Sequence, residues 1–289
     1  MEIGFAIDDA QGLSQAEELR LVAVGAELGY RSVWMPSRAD AEAFERCVRW
    51  HAESGLPVGI SAVPASGQPA EFYARHAARV WEATQGRFTL VVGSGQAARP
   101  ADFMRGYIAD LRKHAPAGLP VYVAALGPRM IELGGRLADG VALNWCTAEH
   151  VEWSRGRLQE AARSAGRDAP QVVEYIRTCV DPDDVQARRT VARAARMYAL
   201  GPAAYRRHFE RMGFGDELRR LEEASDNSSD STLSSIGAAG RPGEVRGQFA
   251  RLARGLDLAI VRILAVNDVE FESARRALDE CRPSGMQNL

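Results

Sequence analysis

Short apolar runs alternate with amphipathic helical stretches along the whole chain, and this rhythm constrains the fold more than any other feature. The runs are Ile3–Ile7, Ser32–Met35, Val58–Val63, Phe88–Val92, Val121–Ala125, Gly140–Asn144, Val172–Val180 and Ala259–Val266. Several are continuously apolar, the pattern of strands covered on both faces by helices. Between them, Ser14-Gln15-Ala16-Glu17 reads as a capping box ahead of Leu19, Val22, Ala23 and Ala26 at helical spacing. Asp181-Pro182-Asp183-Asp184 puts a cap, an N1 proline and acidic residues in one first turn, and Pro100, Pro128 and Pro242 are further candidates for N1 prolines. Eight β-then-α units in 289 residues match a (β/α)8 TIM barrel, an α/β fold in a single domain over residues 1–289. The alternative is an open doubly wound sheet, disfavoured because no Gly-x-Gly-x-x-Gly follows the first run. The stretch 225–235, opening Ser225-Asp226-Asn227-Ser228-Ser229-Asp230-Ser231, departs from the rhythm. It reads as a flexible polar loop between the seventh and eighth strands, either a lid or a passive linker.

Composition narrows the partners. The 36 basic and 38 acidic side chains sum to −2, so there is no polybasic footprint for nucleic acid or an anionic membrane. Small-molecule chemistry is the expectation. The cysteines, Cys47, Cys146, Cys179 and Cys281, form no Cys-x-x-Cys pair, and nothing in their spacing points to a metal site or a disulfide framework. The N-terminus carries no basic n-region, and the apolar runs fall far short of the ~20 residues that span a bilayer. A reducing cytoplasm is the expected location.

In such a barrel, chemistry belongs at the carboxyl ends of the strands. The fourth strand ends in Val92-Gly93-Ser94-Gly95-Gln96, where two glycines admit a flat or charged ligand and Ser94 and Gln96 offer hydrogen bonds. A tight βα turn explains the same residues. The fifth ends in Ala124-Ala125-Leu126-Gly127-Pro128-Arg129-Met130, small residues before a helix start whose free N–H groups suit a phosphate, with Arg129 as an added charge. An ordinary helix start is the competing account. Gly240-Arg241-Pro242-Gly243-Glu244 is a second anion candidate or a loop shaped by its glycines. Asp8-Asp9 closes the first strand, facing the mouth or simply solvated. Among the histidines, His76 lies one turn from Phe72 and Val80 and reads as packed. None of His51, His76, His114, His150 and His208 pairs with a Cys, Ser or carboxylate at a motif spacing, so hydrolytic chemistry has no support.

Pro120–Met130, running on to Ala138-Asp139-Gly140-Val141-Ala142-Leu143-Asn144, resembles the luciferase-like flavin and deazaflavin oxidoreductases, most of all the F420-dependent branch that includes methylenetetrahydromethanopterin reductase. Leu28–Trp34, Gly86–Gly95 and Gly240–Val245 support the likeness in family order. The resemblance implies a (β/α)8 barrel with F420, or alternatively FMN, at its mouth. It implies a non-proline cis peptide in the third strand at Ser61-Ala62, and cofactor contacts from Ser61, Ala62, Gly93, Ser94, Gly95, Gln96, Ala125, Leu126, Gly127, Pro128 and Arg129. Family members form dimers, so a homodimer is expected; Trp50, Trp81 and Trp153 either mark its surface or pack in the core.

The departures from the family bear on catalysis. After Trp34 the usual acidic residue and histidine are replaced along Met35-Pro36-Ser37-Arg38, and a glutamate of some F420 enzymes is Gln96 here. Both positions lose groups suited to proton transfer near pH 7. Arg38 and Gln96 remain as substrate-facing candidates, and the segment between the fourth and fifth strands is shortened. Three readings follow. The first is an F420-dependent oxidoreductase transferring a hydride to or from a small organic substrate. The second is an FMN-dependent monooxygenase served by a partner flavin reductase. The third is a barrel retained as a non-catalytic binding protein.

Overall fold

The computed structural model describes residues 1–7, 9, 12–36, 39–223, 232–266 and 271–283. All strand pairings are parallel. Strands β1 (Glu2–Ala6), β2 (Val33–Pro36), β3 (Val58–Pro64), β4 (Phe88–Gly93), β5 (Val121–Ala124), β6 (Gly140–Asn144) and β7 (Gln171–Val180) follow one another round the sheet. A short β8 (Ala238–Gly240) lies beside the end of β7, and β9 (Leu258–Leu264) pairs with both β7 and β1. The ring of eight therefore closes, with β8 outside it. The eight runs read from the sequence are the eight ring strands. The three-residue β8, too short to show a period, was not among them.

Helices α1 (Gln15–Glu27), α2 (Ala41–Ser54), α3 (Ala70–Ala83), α4 (Pro100–His114), α5 (Pro128–Leu137) and α6 (Ala148–Ser164) cover the first six strands in turn. The Ser14–Glu17 capping box forms, and Pro100 and Pro128 open α4 and α5. The seventh unit is larger. It carries α7 (Asp184–Ala199), α8 (Ala203–Arg211), α9 (Gly215–Glu223), a 3-10 turn at Thr232–Ile236, β8 and α10 (Val245–Leu252) before β9; α11 (Phe271–Glu280) closes the chain. Two start signals shift here. The cap of α7 is Asp183, whose carboxylate accepts from Val185 and Gln186 N–H, so Pro182 lies before the helix rather than at N1. Pro242 sits in a turn, because α10 begins only at Val245. Of the stretch 225–235, residues 225–231 fall outside the described residues. Its remainder forms part of the 3-10 turn that buries Leu233, with Ile236, in a second core under α7–α9.

Strand alternation decides what fills the barrel. Val33, Ile60, Leu90, Val123 and Val261 face outward into the helices, while Trp34, Val91, Tyr122, Val173, Tyr175, Leu258 and Ile260 face inward. Trp34 and Tyr122 span the interior because their neighbours are glycines. A Cβ on Gly59 would stand 2.4 Å from the Trp34 ring, and one on Gly140 2.7 Å from Tyr122. Each large residue also satisfies its polar tip, Trp34 Nε1 donating to Ser32 Oγ and Tyr122 Oη to Gln171 Oε1. Among the three helix tryptophans, Trp50 is fully buried and Trp81 and Trp153 pack partly buried against the core, so packing accounts for all three.

Candidate active site at the barrel mouth

At the carboxyl ends of β3, β4 and β5 the interior positions become small. The Ser61–Ala62 peptide is cis and lies within a register shift between Ile60 and Val63, after which β3 pairs with β4 again at Val63 and Pro64. Ala62, Gly93 and Ala124 then lie side by side. A Cβ on Gly93 would meet the Ala124 methyl at 3.4 Å and the Ala62 methyl at 3.7 Å, so this wall is flat and nearly filled. Beneath it, the buried Tyr175 hydroxyl donates to Met35 O at 3.2 Å, with Ser61 beside it.

The opposite wall, from β6, β7 and β9, is polar. Arg177 is 5% exposed and donates to Asn144 Oδ1 and to Tyr175 O, with its guanidinium 4.4 Å over the Trp145 ring. Asn144 Nδ2 in turn donates to Tyr205 Oη of α8 at 2.6 Å. Arg262 is the register partner of Arg177 on β9, and burial with this like charge nearby holds the Arg177 pKa below its ordinary value. None of Asn144, Arg177, Tyr205 and Arg262 was picked from the sequence. A signal existed: Arg262 is the one charge in the apolar run of β9, and Arg177 shares the run of β7 with Glu174 but at the opposite parity, which points inward.

The residues named in advance separate into groups. Ser61, Ala62 and Gly93 border the flat wall, and half-buried Ser94 follows directly. Gly95 takes φ +58° and packs so close to Ser66 that a Cβ would fall 2.2 Å from its Oγ. Gln96 donates its backbone N–H to the same hydroxyl at 3.0 Å, while the residue itself is exposed. The tight-turn account therefore explains Gly95. Past this turn, a cavity of about 940 Å³ opens between Ser66–Ala70 and Arg99–Asp110, on the side where the connection from β4 to β5 is a single helix. Arg38 and Ser37 lie outside the described residues, as does Asp8. Asp9 instead takes part in an ion pair with buried Arg46, which also binds Glu18.

Ala125, Leu126, Gly127 and Pro128 turn from β5 into α5, whose N-terminus has no side-chain cap. Its first-turn N–H groups therefore face outward with the positive end of the helix dipole. Arg129 is exposed on the first turn. A second arginine arrives from α8: Arg211 donates to Leu126 O at 3.1 Å and approaches within 3.7 Å of where a Gly127 Cβ would stand. The other anion candidate fails on its own carboxylates. Glu244 accepts from Arg241 N–H, Glu280 accepts from Gly243 N–H, and the Arg241 guanidinium is held by Asp184 and Pro182 O.

Behind β6, tertiary packing assembles a group that sequence spacing did not reveal. Cys146, His150 and His208 are all buried, with one potential ligand atom each within 4.8 Å of the others. Cys146 N donates to Glu174 Oε1 at 2.7 Å. Burial lowers the His150 pKa to about 4 and raises that of Glu174 to about 8. The other histidine expectation matches its surroundings, with His76 packed 4.5 Å from the Phe72 ring.

Among known proteins, residues 102–257, which are 156 of the 289, match the family model described as luciferase-like monooxygenase. The chain is similar to 5,10-methylenetetrahydromethanopterin reductase of Archaeoglobus fulgidus, with 31% identity over 117 residues. That stretch is 39% of this chain and spans only about a third of the relative's length, 34%. Over whole chains the fold is similar to that of coenzyme F420-dependent tetrahydromethanopterin reductase from Methanopyrus kandleri, with a TM-score of 0.73, 17% identity and coverage of 98% and 99%. It is also similar to the oxygenating constituent of 3,6-diketocamphane monooxygenase from Pseudomonas putida in complex with FMN, with a TM-score of 0.66, 13% identity and 98% coverage of both chains. With a closed parallel eight-stranded ring and a family match across more than half its length, the chain belongs to the luciferase-like monooxygenase family.

Proposed function

We propose that this protein is an oxidoreductase that holds the deazaflavin coenzyme F420 at the barrel mouth and exchanges a hydride between it and a small organic substrate. The observation that carries the reading is the flat wall of Ala62, Gly93 and Ala124, whose side chains are small enough for a planar ring to lie against it and where a Cβ on Gly93 would meet both neighbours. The curated reductase similarity favours F420 over FMN. When bound, the coenzyme supplies the hydride-carrying carbon, and the protein's contribution is placement and exclusion of water.

The chain's residues divide that work. Ser61, Ala62, Gly93 and Ser94 back the ring. The uncapped start of α5 at Ala125–Pro128, with Arg129 and Arg211, holds a phosphate of the coenzyme. The polar wall faces the substrate. Tyr205 Oη accepts from Asn144 and so keeps its own proton to donate, while Arg177 and Arg262 favour a substrate oxygen that carries or gains negative charge. This arrangement answers the loss of proton-transfer groups at Ser37, Arg38 and Gln96, because Tyr205 is contributed by α8 rather than by the second or fourth strand.

Parallel equilibrium titrations with F420 and FMN, read by tryptophan quenching, test the proposal. Tight binding of F420 alone supports it. Preference for FMN replaces it with the monooxygenase reading and a separate flavin reductase, and binding of neither leaves a non-catalytic barrel.

A further inference from the structure

The Cys146–His150–His208 group has a property that ordinary side-chain packing does not explain. His208 Nδ1 stands 3.2 Å from Leu126 O, while its Nε2 stands 3.0 Å from both Asn144 O and Trp145 O. A neutral imidazole has one N–H. In either tautomer one ring nitrogen then turns a lone pair toward carbonyl oxygen: Nδ1 toward Leu126 O, or Nε2 toward Asn144 O and Trp145 O, where a second proton or a cation relieves it. Two further atoms nearby lack partners: His150 Nε2 and Glu174 Oε2 are buried with no hydrogen bond, in residues only 6% and 3% exposed. Buried polar groups are rarely left this way.

We infer that these residues bind a divalent transition-metal ion of the zinc type. The distances support it. Ligand atoms about a tetrahedral zinc ion, with Zn–S about 2.3 Å and Zn–N about 2.1 Å, lie about 3.4–3.6 Å apart. Cys146 Sγ is 3.8 Å from His208 Nε2, and a ring nitrogen of His150 is within 4.8 Å of both, so small side-chain rotations close the set. The ligand types, one thiolate and two imidazoles, suit zinc or cobalt rather than magnesium or calcium. The outer contacts fit as well. With the ion on Nε2, Nδ1–H is left to donate to Leu126 O, and Glu174 holds the Cys146 backbone. On binding, Cys146 releases its thiol proton to solvent. The thiolate neutralises one charge of the dication, and the carboxyl of Glu174 neutralises the other on releasing its own proton to solvent.

The ion would act as a clasp. His208 belongs to α8, Cys146 follows β6 and His150 opens α6, so one ion ties the enlarged seventh unit to the barrel wall beside the β5–α5 turn. This inference is independent of which coenzyme binds.

Cobalt titration of chelator-treated, full-length protein tests it. The expected result is saturation at one equivalent, with a thiolate-to-cobalt charge-transfer band in the near ultraviolet and a rise in melting temperature. Cys146→Ser should abolish the band and weaken binding at least tenfold. Cys47→Ala, on α2 across the ring, should leave both unchanged. A folded wild type that takes up no cobalt, or shows no thiolate band, overturns the inference even if the variants fail to fold. Retention of the band in Cys146→Ser does the same.

Discussion

Gly127→Asp separates the two things that the start of α5 can do. Gly127 is the N-cap residue, with φ −134° and ψ 167°, a conformation any residue adopts. A Cβ there meets nothing nearer than the Arg211 guanidinium at 3.7 Å, so the aspartate fits. It supplies the missing cap, worth a few tenths of a kcal/mol over glycine. It also places a negative charge at the helix's positive end, worth about 0.3–1 kcal/mol. The pairing with Arg211 is discounted because that side chain is exposed. A net gain of about 0.5–1 kcal/mol corresponds to a melting temperature about 1–4 °C higher in a chain of this size. The same carboxylate occupies the space of a ligand phosphate. Losing one charge-assisted hydrogen bond costs about 1.5–3 kcal/mol, and at 1.4 kcal/mol per decade the coenzyme should bind about 10- to 150-fold more weakly. Thermal melts without ligand and fluorescence titrations with F420 and FMN measure both numbers. A more stable protein with unchanged affinity would refute the phosphate assignment, and a less stable one would refute the reading of α5 as an uncapped helix.

Other substitutions probe the remaining parts. Gly93→Val should fill the flat wall and reduce coenzyme affinity more than 100-fold while the melting temperature stays within a few degrees, since its first carbon only touches Ala124 and Ala62; unchanged affinity would move the ring elsewhere. Gly59→Ala drives a methyl to within 2.4 Å of Trp34 and should cost about 1–3 kcal/mol in chemical denaturation, a test of the interior packing. Arg46→Met removes the buried partner of Glu18 and should destabilise by about 3–5 kcal/mol, with Glu18→Gln in the same chain recovering part of the loss. Tyr205→Phe should lower kcat of any turnover found while leaving coenzyme affinity within threefold; an unchanged kcat would remove the phenol from proton transfer.

Some of the site was legible from local sequence because its logic is local. The Gly127-Pro128 start of α5 and the Gly95 turn are each written in a few adjacent residues, since helix starts and tight turns depend on neighbouring backbone angles. The cis position at Ser61–Ala62 came from family likeness, and no rule of propensity pointed to it. Arg241 and Gly243 misled for the opposite reason: their free donors are consumed by Glu244 nearby and by Glu280, 37 residues away from Gly243.

The chain's own pattern determined the eight-stranded parallel barrel, because strand and helix periods act over single elements and eight such units of this length close in few ways. Arg177 and Arg262 sit at inward parity in that pattern, yet their place in the polar wall became visible only in the folded barrel. Only the tertiary structure decided how the seventh unit folds back. That return brings Tyr205 onto Asn144, Arg211 onto Leu126 and His208 onto Cys146, contacts spanning 61, 85 and 62 positions. Contacts of that reach come from one helix packing against a finished barrel wall, and no repeat or spacing in the sequence records where such a helix will land.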